Sequence, residues 1–239
     1  MISTKNISLF KKCLETITPI IPETNVRFKD DGIYIKAIDK TQILLVDFYI
    51  SKKAFDSGYV VEPSLVGLNI QELKNMISRS FEGDKLSLNL KDQGIDVLLS
   101  GKLERKFHLQ FMDLSEQDIN LPELKYEVDF NINAGLLKEI LKDVGLVATT
   151  LVFKIQDNKL MIEANGDKGN IKTTLSEIKV KSKKNFSVKF SLAFLNNITK
   201  AMDNDKELLI KLGEDIPIYL EYNLSKECII KFYLSSMLI

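Results

Sequence analysis

The pattern of apolar and polar positions along this chain is written twice. Residues 7–37 and 134–164 share one pattern at a constant offset of 127, so Leu9, Phe10, Lys11, Leu14 and Ile17 fall on Leu136, Leu137, Lys138, Leu141 and Val144. The register continues without a gap, from Val26, Phe28, Asp30, Ile33, Ile35 and Ala37 onto Phe153, Ile155, Asp157, Leu160, Ile162 and Ala164. A second block repeats at an offset of 122, where Leu68, Ile70, Leu73, Asn75, Met76, Leu86, Leu88 and Leu90 answer to Phe190, Leu192, Leu195, Asn197, Ile198, Leu208, Ile210 and Leu212. A fixed long period in the apolar code marks a repeated structural unit, here two similar domains in tandem.

Local spacing predicts the elements of each copy. Ile7, Phe10, Leu14 and Ile17 lie on one helical face over residues 6–17, and Pro19 supplies the stop. Two strands follow, Asn25 to Phe28 and Gly32 to Ala37, joined through Lys29, Asp30 and Asp31 in a turn that suits a hairpin. The apolar run Gln42 to Ile50 predicts a third strand. A second helix is expected from Ile70 to Phe81 with Leu73, Met76 and Ile77 inward; Gly83 and Asp84 end it, and Leu86 to Leu90 and Ile95 to Leu99 form another hairpin. The second copy repeats this order, with helices near Ala134 to Val144 and Ser191 to Met202. Helices of roughly 12 residues are about 18 Å long, enough to cover a sheet face but not to build a bundle. The expected fold class is α+β: two similar domains, each an antiparallel β-sheet arrangement with two short α-helices on one face.

Between the copies, Met112 to Tyr126 reads as an extended connector. It carries Asp113, Glu116, Asp118, Glu123 and a proline, with no regular period. Its Leu114, Ile119, Leu121 and Leu124 are more than a solvated linker needs, so part of it should lie against a domain surface. The domains are expected at 1–111 and 127–239, with 112–126 between them.

At 239 residues, 45% hydrophobic and 28% charged, the chain has the balance of a soluble globular protein with room for two cores. No apolar run approaches the roughly 18 residues of a membrane-spanning helix, and the N-terminus lacks a signal-peptide core, so an intracellular location is expected. Cys13 lies in a helical pattern and Cys228 in a strand pattern, without CxxC spacing; buried thiols are the favoured reading, with a disulfide as the alternative. Formal charge is zero, with 33 basic against 33 acidic residues. Any nucleic-acid contact must therefore come from charge sorted onto one surface.

Several stretches together resemble the proliferating cell nuclear antigen family, the sliding clamps of archaeal and eukaryotic replication. They are the opening helix SLFKKCLETI, the strand and turn DGIYIKAID, the connector MDLSEQDINLPE, the helix LAFLNNITKA, and the closing strands DIPIYLEY and KFYL. The resemblance covers nearly the whole chain and rests on order and spacing. It implies a subunit of a ring-shaped trimer that encircles duplex DNA without reading sequence. The ring would tether a polymerase, flap endonuclease and DNA ligase through short peptide motifs, after a clamp loader has opened it. The location would be the cytoplasm or nucleoid of an archaeon, or a eukaryotic nucleus.

The resemblance also implies functional positions. Lys11, Lys12 and Lys200 match positions where the family carries DNA-facing lysines; Lys74, Arg79, Lys138 and Lys142 match only as basic residues on the same helices. Read alone, each is an ordinary solvated helix cation. Glu15, Glu72, Glu139 and Asp143 share those helices, and charges within a Debye length of roughly 8 Å partly cancel, so the contact should be weak and salt-sensitive. Ile38, Gln42, Leu45, Ile119, Leu121, Pro217, Tyr233 and Ser235 match the family's partner-peptide groove, although Leu45 and Tyr233 could be plain core. After the last strand the family usually continues with a small residue, a proline and a basic residue. This chain has Ser235, Ser236, Met237, Leu238 and Ile239, which puts that lip of the groove in question. Lys102 to Leu109, with Phe107 at the aromatic position, matches one interface strand, and Gly169, Asn170, Ile171 and Lys172 match the facing one; pairing them would hide exposed strand edges.

Catalytic patterns are missing from the sequence. His108 is the only histidine, no HxxEH, GxSxG or P-loop pattern occurs, and Gly166, Asp167, Lys168 and Gly169 lack the spacing of a nucleotide loop. No enzymatic activity, cofactor or metal is expected. Two rivals stand beside the clamp reading. One is a specialised subunit of a hetero-trimeric replicative or checkpoint clamp. The other is a tandem α+β enzyme working through turn carboxylates such as Asp30, Asp31 or Asp39.

Overall fold

The computed structural model describes residues 1–116, 119, 120 and 123–238. In chain order it contains β1 (Ile2–Thr4), α1 (Ile7–Ile17), β2 (Glu23–Lys29), β3 (Gly32–Ile38), β4 (Leu44–Ser51), a 3₁₀ turn (Lys52–Ala54), β5 (Gly58–Tyr59), β6 (Ser64–Asn69), α2 (Ile70–Ile77), β7 (Lys85–Lys91), β8 (Gly94–Ser100) and β9 (Glu104–Gln110). There follow β10 (Val128–Asn133), α3 (Ala134–Val147), β11 (Thr150–Gln156), β12 (Lys159–Gly166), β13 (Gly169–Lys179), β14 (Phe186–Ser191), α4 (Leu192–Thr199), β15 (Glu207–Leu212), β16 (Ile218–Ser225) and β17 (Cys228–Leu234). The residues group into two units, one of Met1–Asp39, Val46–Ile119 and Asn223–Ile230, the other of Lys40–Leu45, Asn120–Tyr222 and Lys231–Ile239.

In the first unit β5, β1, β7, β8 and β9 lie side by side, as do β4, β3, β2 and β6. The described pairings are antiparallel. α1 and α2 pack beside one another, and α2 also touches β2, β6, β8 and β9. Helix α1 starts where Asn6 Oδ1 accepts from Leu9 N–H, satisfying a donor the first turn leaves free. Its inward face is Ile7, Phe10, Cys13, Leu14 and Ile17, as the 3, 4, 3 spacing requires. Asn69 caps α2 in the same way through Glu72 N–H at 2.8 Å, and Ile70, Leu73 and Ile77 are buried.

The second unit repeats the plan. β10, β15, β16 and β17 are neighbours, as are β13, β12, β11 and β14, while α3 lies against α4. Asn133 caps α3, accepting from Leu136 N–H at 3.0 Å. Phe153 and Phe190, both fully buried, meet edge to face with ring centres 6.0 Å apart. This contact fixes the β11–β14 pair in the core.

Several boundaries depart from the sequence reading, and two of them have a clear local reason. The third strand starts at Leu44 because Gln42 has φ 61°, a left-handed conformation that no strand accommodates. Helix α2 stops at Ile77, before Phe81, with Ser78 as its C-cap; the chain then turns around buried Asp84, whose Oδ2 accepts from Phe81 N–H at 2.9 Å. The short strands β1 and β5, and β6 just before α2, also go beyond the predicted set: β1 and β5 have only three and two residues, and the burial of β6 does not alternate.

Candidate nucleic-acid and peptide interfaces

The basic residues on the helices do not have equivalent surroundings. Lys11, half-buried on α1, points its Nζ at the Ser80 carbonyl, 3.4 Å away, in the segment just past α2. Lys138 on α3 does the same in the second unit, with Nζ 2.5 Å from the Met202 carbonyl and 2.9 Å from Asn204 Oδ1. The pairs correspond under both offsets of the repeat, 127 for the lysines and 122 for the carbonyls. Lys142 bonds Glu139 one turn away at 2.6 Å, both side chains largely exposed. Lys12 and Lys74 are half-buried, while Arg79 and Lys200 are exposed just beyond α2 and α4. Arg79 also offers its carbonyl to the Arg105 guanidinium, which pairs with Asp84 and lies over the Phe81 ring at 4.3 Å. These cations thus lie on or next to the paired helices; Lys11 and Lys138 already spend a donor on neutral oxygens, and Lys142 is paired with a carboxylate.

The residues suggested for a peptide groove belong to both units, and each unit holds its own portion. In the first, Ile38 and Ile119 line one cavity of about 720 Å³ with Leu65, Leu114 and Tyr34, ringed by Glu23, Arg27, Lys36 and Glu116. The start of the connector forms its other wall. Met112 N–H donates to the Gly67 carbonyl at 2.9 Å, adding a single bridge to the outer edge of β6. A Cβ on Gly67 would lie 2.3 Å from the Met112 carbonyl oxygen, so only glycine lets the two backbones come this close. Asn25 Nδ2 then donates to the Leu114 and Ser115 carbonyls at 3.3 and 3.2 Å, and Arg27 pairs with Glu116. Leu121 lies outside the described residues.

In the second unit Tyr233 stands half-buried with its ring edge-on to Tyr219 at 5.2 Å, and Tyr219 contacts Tyr126 at 6.2 Å. Burial pushes the Tyr126 hydroxyl up to about 12, with the nearby Tyr233 adding to the shift. Ser235 N–H donates to the Ile43 carbonyl at 2.9 Å, bringing the segment of exposed Gln42 and buried Leu45 next to the end of β17. Pro217 is half-buried two residues before Tyr219. The tail then runs along β14, where Met237 N–H donates to the Lys189 carbonyl at 2.8 Å. Leu238 is 95% exposed, so the tail's last described apolar side chain is uncovered.

Both strands suggested for subunit contact are outer strands. β9 closes one side of its sheet and β13 one side of its own. Phe107 is half-buried opposite Val97, between exposed Lys106 and His108. Those two neighbours converge on Asp96 of β8, His108 Nδ1 at 2.8 Å and Lys106 Nζ at 3.1 Å. His108 and then Lys106 hold the Asp96 carboxyl below its ordinary range. On β13, Gly169 has φ 140° in the tight turn from Gly166, Ile171 is half-buried opposite Ala164, and Lys172 pairs with Glu163 at 3.1 Å. Gly169 and Asn170 are exposed.

Of the turn carboxylates, Asp30 is exposed, Asp39 is largely buried, and Asp31 Oδ2 accepts the Tyr34 hydroxyl at 2.6 Å. Among the described residues no group of three or more His, Cys, Asp or Glu could hold a metal ion, and no helix is long and apolar enough to cross a membrane. The sequence pattern could not reveal three features: the lysine-to-carbonyl bonds, the Gly67–Met112 bridge and the Asp96 cluster. Each joins residues from different elements that carry no shared motif.

The family model described as the N-terminal domain of proliferating cell nuclear antigen matches residues 2–123, and that of its C-terminal domain matches 120–237. The chain is 25% identical over 232 residues to a DNA polymerase sliding clamp of Pyrococcus furiosus, covering 95% of this chain and 93% of that protein. With the DNA polymerase sliding clamp of Methanococcus vannielii the identity is 29% over 235 residues, 93% of each. The fold is shared with the crystal structure of proliferating cell nuclear antigen from Thermococcus kodakaraensis, with a TM-score of 0.91, 23% identity and 99% of both chains covered.

Proposed function

The chain belongs to the proliferating cell nuclear antigen family, and from that premise we propose how it works as a DNA sliding clamp subunit. Three two-domain subunits close head to tail into a ring around duplex DNA, with α1 to α4 of each facing the hole. A heterologous contact that closes by rotation gives a ring instead of a filament. The domains are taken as 1–111 and 127–239, with 112–126 connecting them.

The observation that carries the proposal is the repeated unit with an outer strand in each copy, β9 in one and β13 in the other. Their unpaired backbone edges favour pairing between subunits, through Phe107 on one side and Gly169 to Lys172 on the other. Lys11, Lys12, Lys74, Arg79, Lys138, Lys142 and Lys200 then supply weak, non-specific contact with phosphates. Ile38, Gln42, Leu45, Ile119, Leu121, Pro217, Tyr233 and Ser235 form the groove for short peptides of polymerase, flap endonuclease and DNA ligase. Tethering raises the effective concentration of those enzymes on DNA, so the clamp needs no catalysis of its own. Ring opening is left to a separate clamp loader, and the site of action is wherever the chromosome lies.

The zero net charge and the Ser235 to Leu238 tail favour a second reading, a specialised subunit of a mixed ring. One member of a mixed trimer need not supply a third of the inner field or a standard groove. The test is to load the protein onto nicked circular DNA with a loader and then linearise the circle. Topological binding predicts release from the free ends, and retention on the linear form would refute encirclement.

A further inference from the structure

We propose that Cys13 and Cys228 are a peroxide-sensitive dithiol that closes to an intramolecular disulfide, a modification site built into the first unit. They are the chain's only two cysteines. Although they stand 215 positions apart, their sulfurs lie 3.2 Å from one another. Both are buried and free, Cys13 at 0% and Cys228 at 2% exposure.

Secondary structure holds both partners in place. Cys13 sits mid-way along α1 between Phe10 and Ile17 on its inward face. Cys228 opens β17 next to Glu227, whose carbonyl accepts from Ser51 N–H at 2.8 Å and whose own N–H is held by Ser225 Oγ at 3.1 Å. A disulfide needs sulfurs about 2.05 Å apart, so closure asks for a shift of roughly 1 Å.

Burial pushes the Cys13 thiol up, and the neighbouring Cys228 adds to the shift, so little thiolate is present in the closed fold and oxidation is slow, proceeding through local opening. Hydrogen peroxide is small enough to enter during local opening. One thiol sulfur attacks a peroxide oxygen, the O–O bond breaks, one water leaves and a sulfenic acid forms. The second sulfur displaces the sulfenic hydroxyl as the S–S bond forms and a second water leaves. Two thiols and one peroxide thus give one disulfide and two waters, with both electrons passing to the peroxide. A thiol already at 3.2 Å captures the sulfenic acid before further oxidation. The product ties α1, the helix of Lys11 and Lys12, to the 223–230 segment. It also restricts the unfolded chain over a very long loop, which raises stability.

The test treats the folded full chain with hydrogen peroxide, then denatures and alkylates it. Oxidation of exposed Met237 reports that oxidant was delivered. The expected product has no alkylatable thiol, is lighter at cysteine by the two thiol hydrogens, and yields a digest fragment joining residues 13 and 228. It runs as a single chain on a non-reducing denaturing gel, has a raised Tm, and returns to the dithiol with dithiothreitol. Cys228→Ser should keep one alkylatable thiol or gain oxygen at Cys13. The proposal is overturned if wild-type thiols persist once Met237 is oxidised, if the cysteines gain oxygen without linking, or if the disulfides join separate chains. Should Cys228→Ser fail to fold, the linked fragment from wild type alone decides the matter.

Discussion

At the scale of single residues, the repeated lysine-to-carbonyl bond sorts the basic side chains by what holds them. The last carbonyls of a helix and the turn beyond it carry unsatisfied partial negative charge, and an ammonium placed there is stabilising. Lys11 and Lys138 occupy that position in their respective units, so part of their charge is committed before any phosphate arrives. Lys200 is exposed beyond α4. Lys138→Met is expected to lower unfolding free energy by about 1 kcal/mol in denaturant titration. Lys200→Ala should leave stability unchanged and reduce the slope of log affinity for duplex DNA against log salt by roughly 1. Interchanged effects would refute this division of roles. Asp96 gives a pH signature at the same scale. Because His108 and Lys106 hold its carboxyl below 3.8, its contribution is complete above that value and fades as pH falls through the lower folded value. Asp96→Asn should therefore be less stable than wild type at neutral pH, by thermal unfolding, with the gap narrowing on acidification below 3.8.

At the scale of elements, the connector and its glycine are coupled. Gly67 leaves 2.3 Å between a would-be Cβ and the Met112 carbonyl oxygen, a backbone contact that cannot yield by rotamer change. Gly67→Ala is expected to cost about 1–3 kcal/mol and to detach the connector's start, weakening a partner peptide along with it. Ile119→Asp tests the groove separately, since it puts a charge into the cavity with Ile38. Peptide binding should vanish while the assembly keeps its mass, and unchanged binding would remove Ile119 from the groove. The helices were readable from sequence because Ile7, Phe10, Leu14 and Ile17 repeat every three or four residues and fall on Leu137, Leu141 and Val144 in the second copy. The caps repeat as well, Asn6 on Asn133, a polar echo that apolar spacing alone does not register. Other features were hidden because they depend on backbone conformation or on long-range encounters. The equivalent hairpin turns differ, Asp157 and Asn158 both having positive φ where Asp30 and Asp31 do not, and no apolar pattern encodes that. Cys13 and Cys228 read as separate buried thiols until the fold brought them together.

At the scale of the whole molecule, the proposed ring turns on whether two different strand edges recognise one another. β9 presents Lys106 and His108 beside Phe107, while β13 presents Asn170 and Lys172 on either side of Ile171. The surfaces are unlike, so in the proposed ring they pair head to tail, and a rotation that closes gives a ring instead of a filament. Phe107→Asp places a charge in the apolar centre of that contact. It should reduce the mass in solution from three times 27.2 kDa to a single chain, with secondary structure retained by circular dichroism. The same measurement separates the two clamp readings. The chain's charge sums to zero, and among the helices only α1 carries an excess, two lysines against one glutamate, while α2 and α3 are balanced. For the proposed ring of three identical copies this charge balance predicts weak, freely sliding contact with DNA, with β9 and β13 as the closing edges. Wild-type protein purified alone should then be trimeric at micromolar concentration. A monomer that becomes trimeric only with related subunits from the same cells would instead establish the mixed ring, with Phe107 contacting a partner's strand in place of its own.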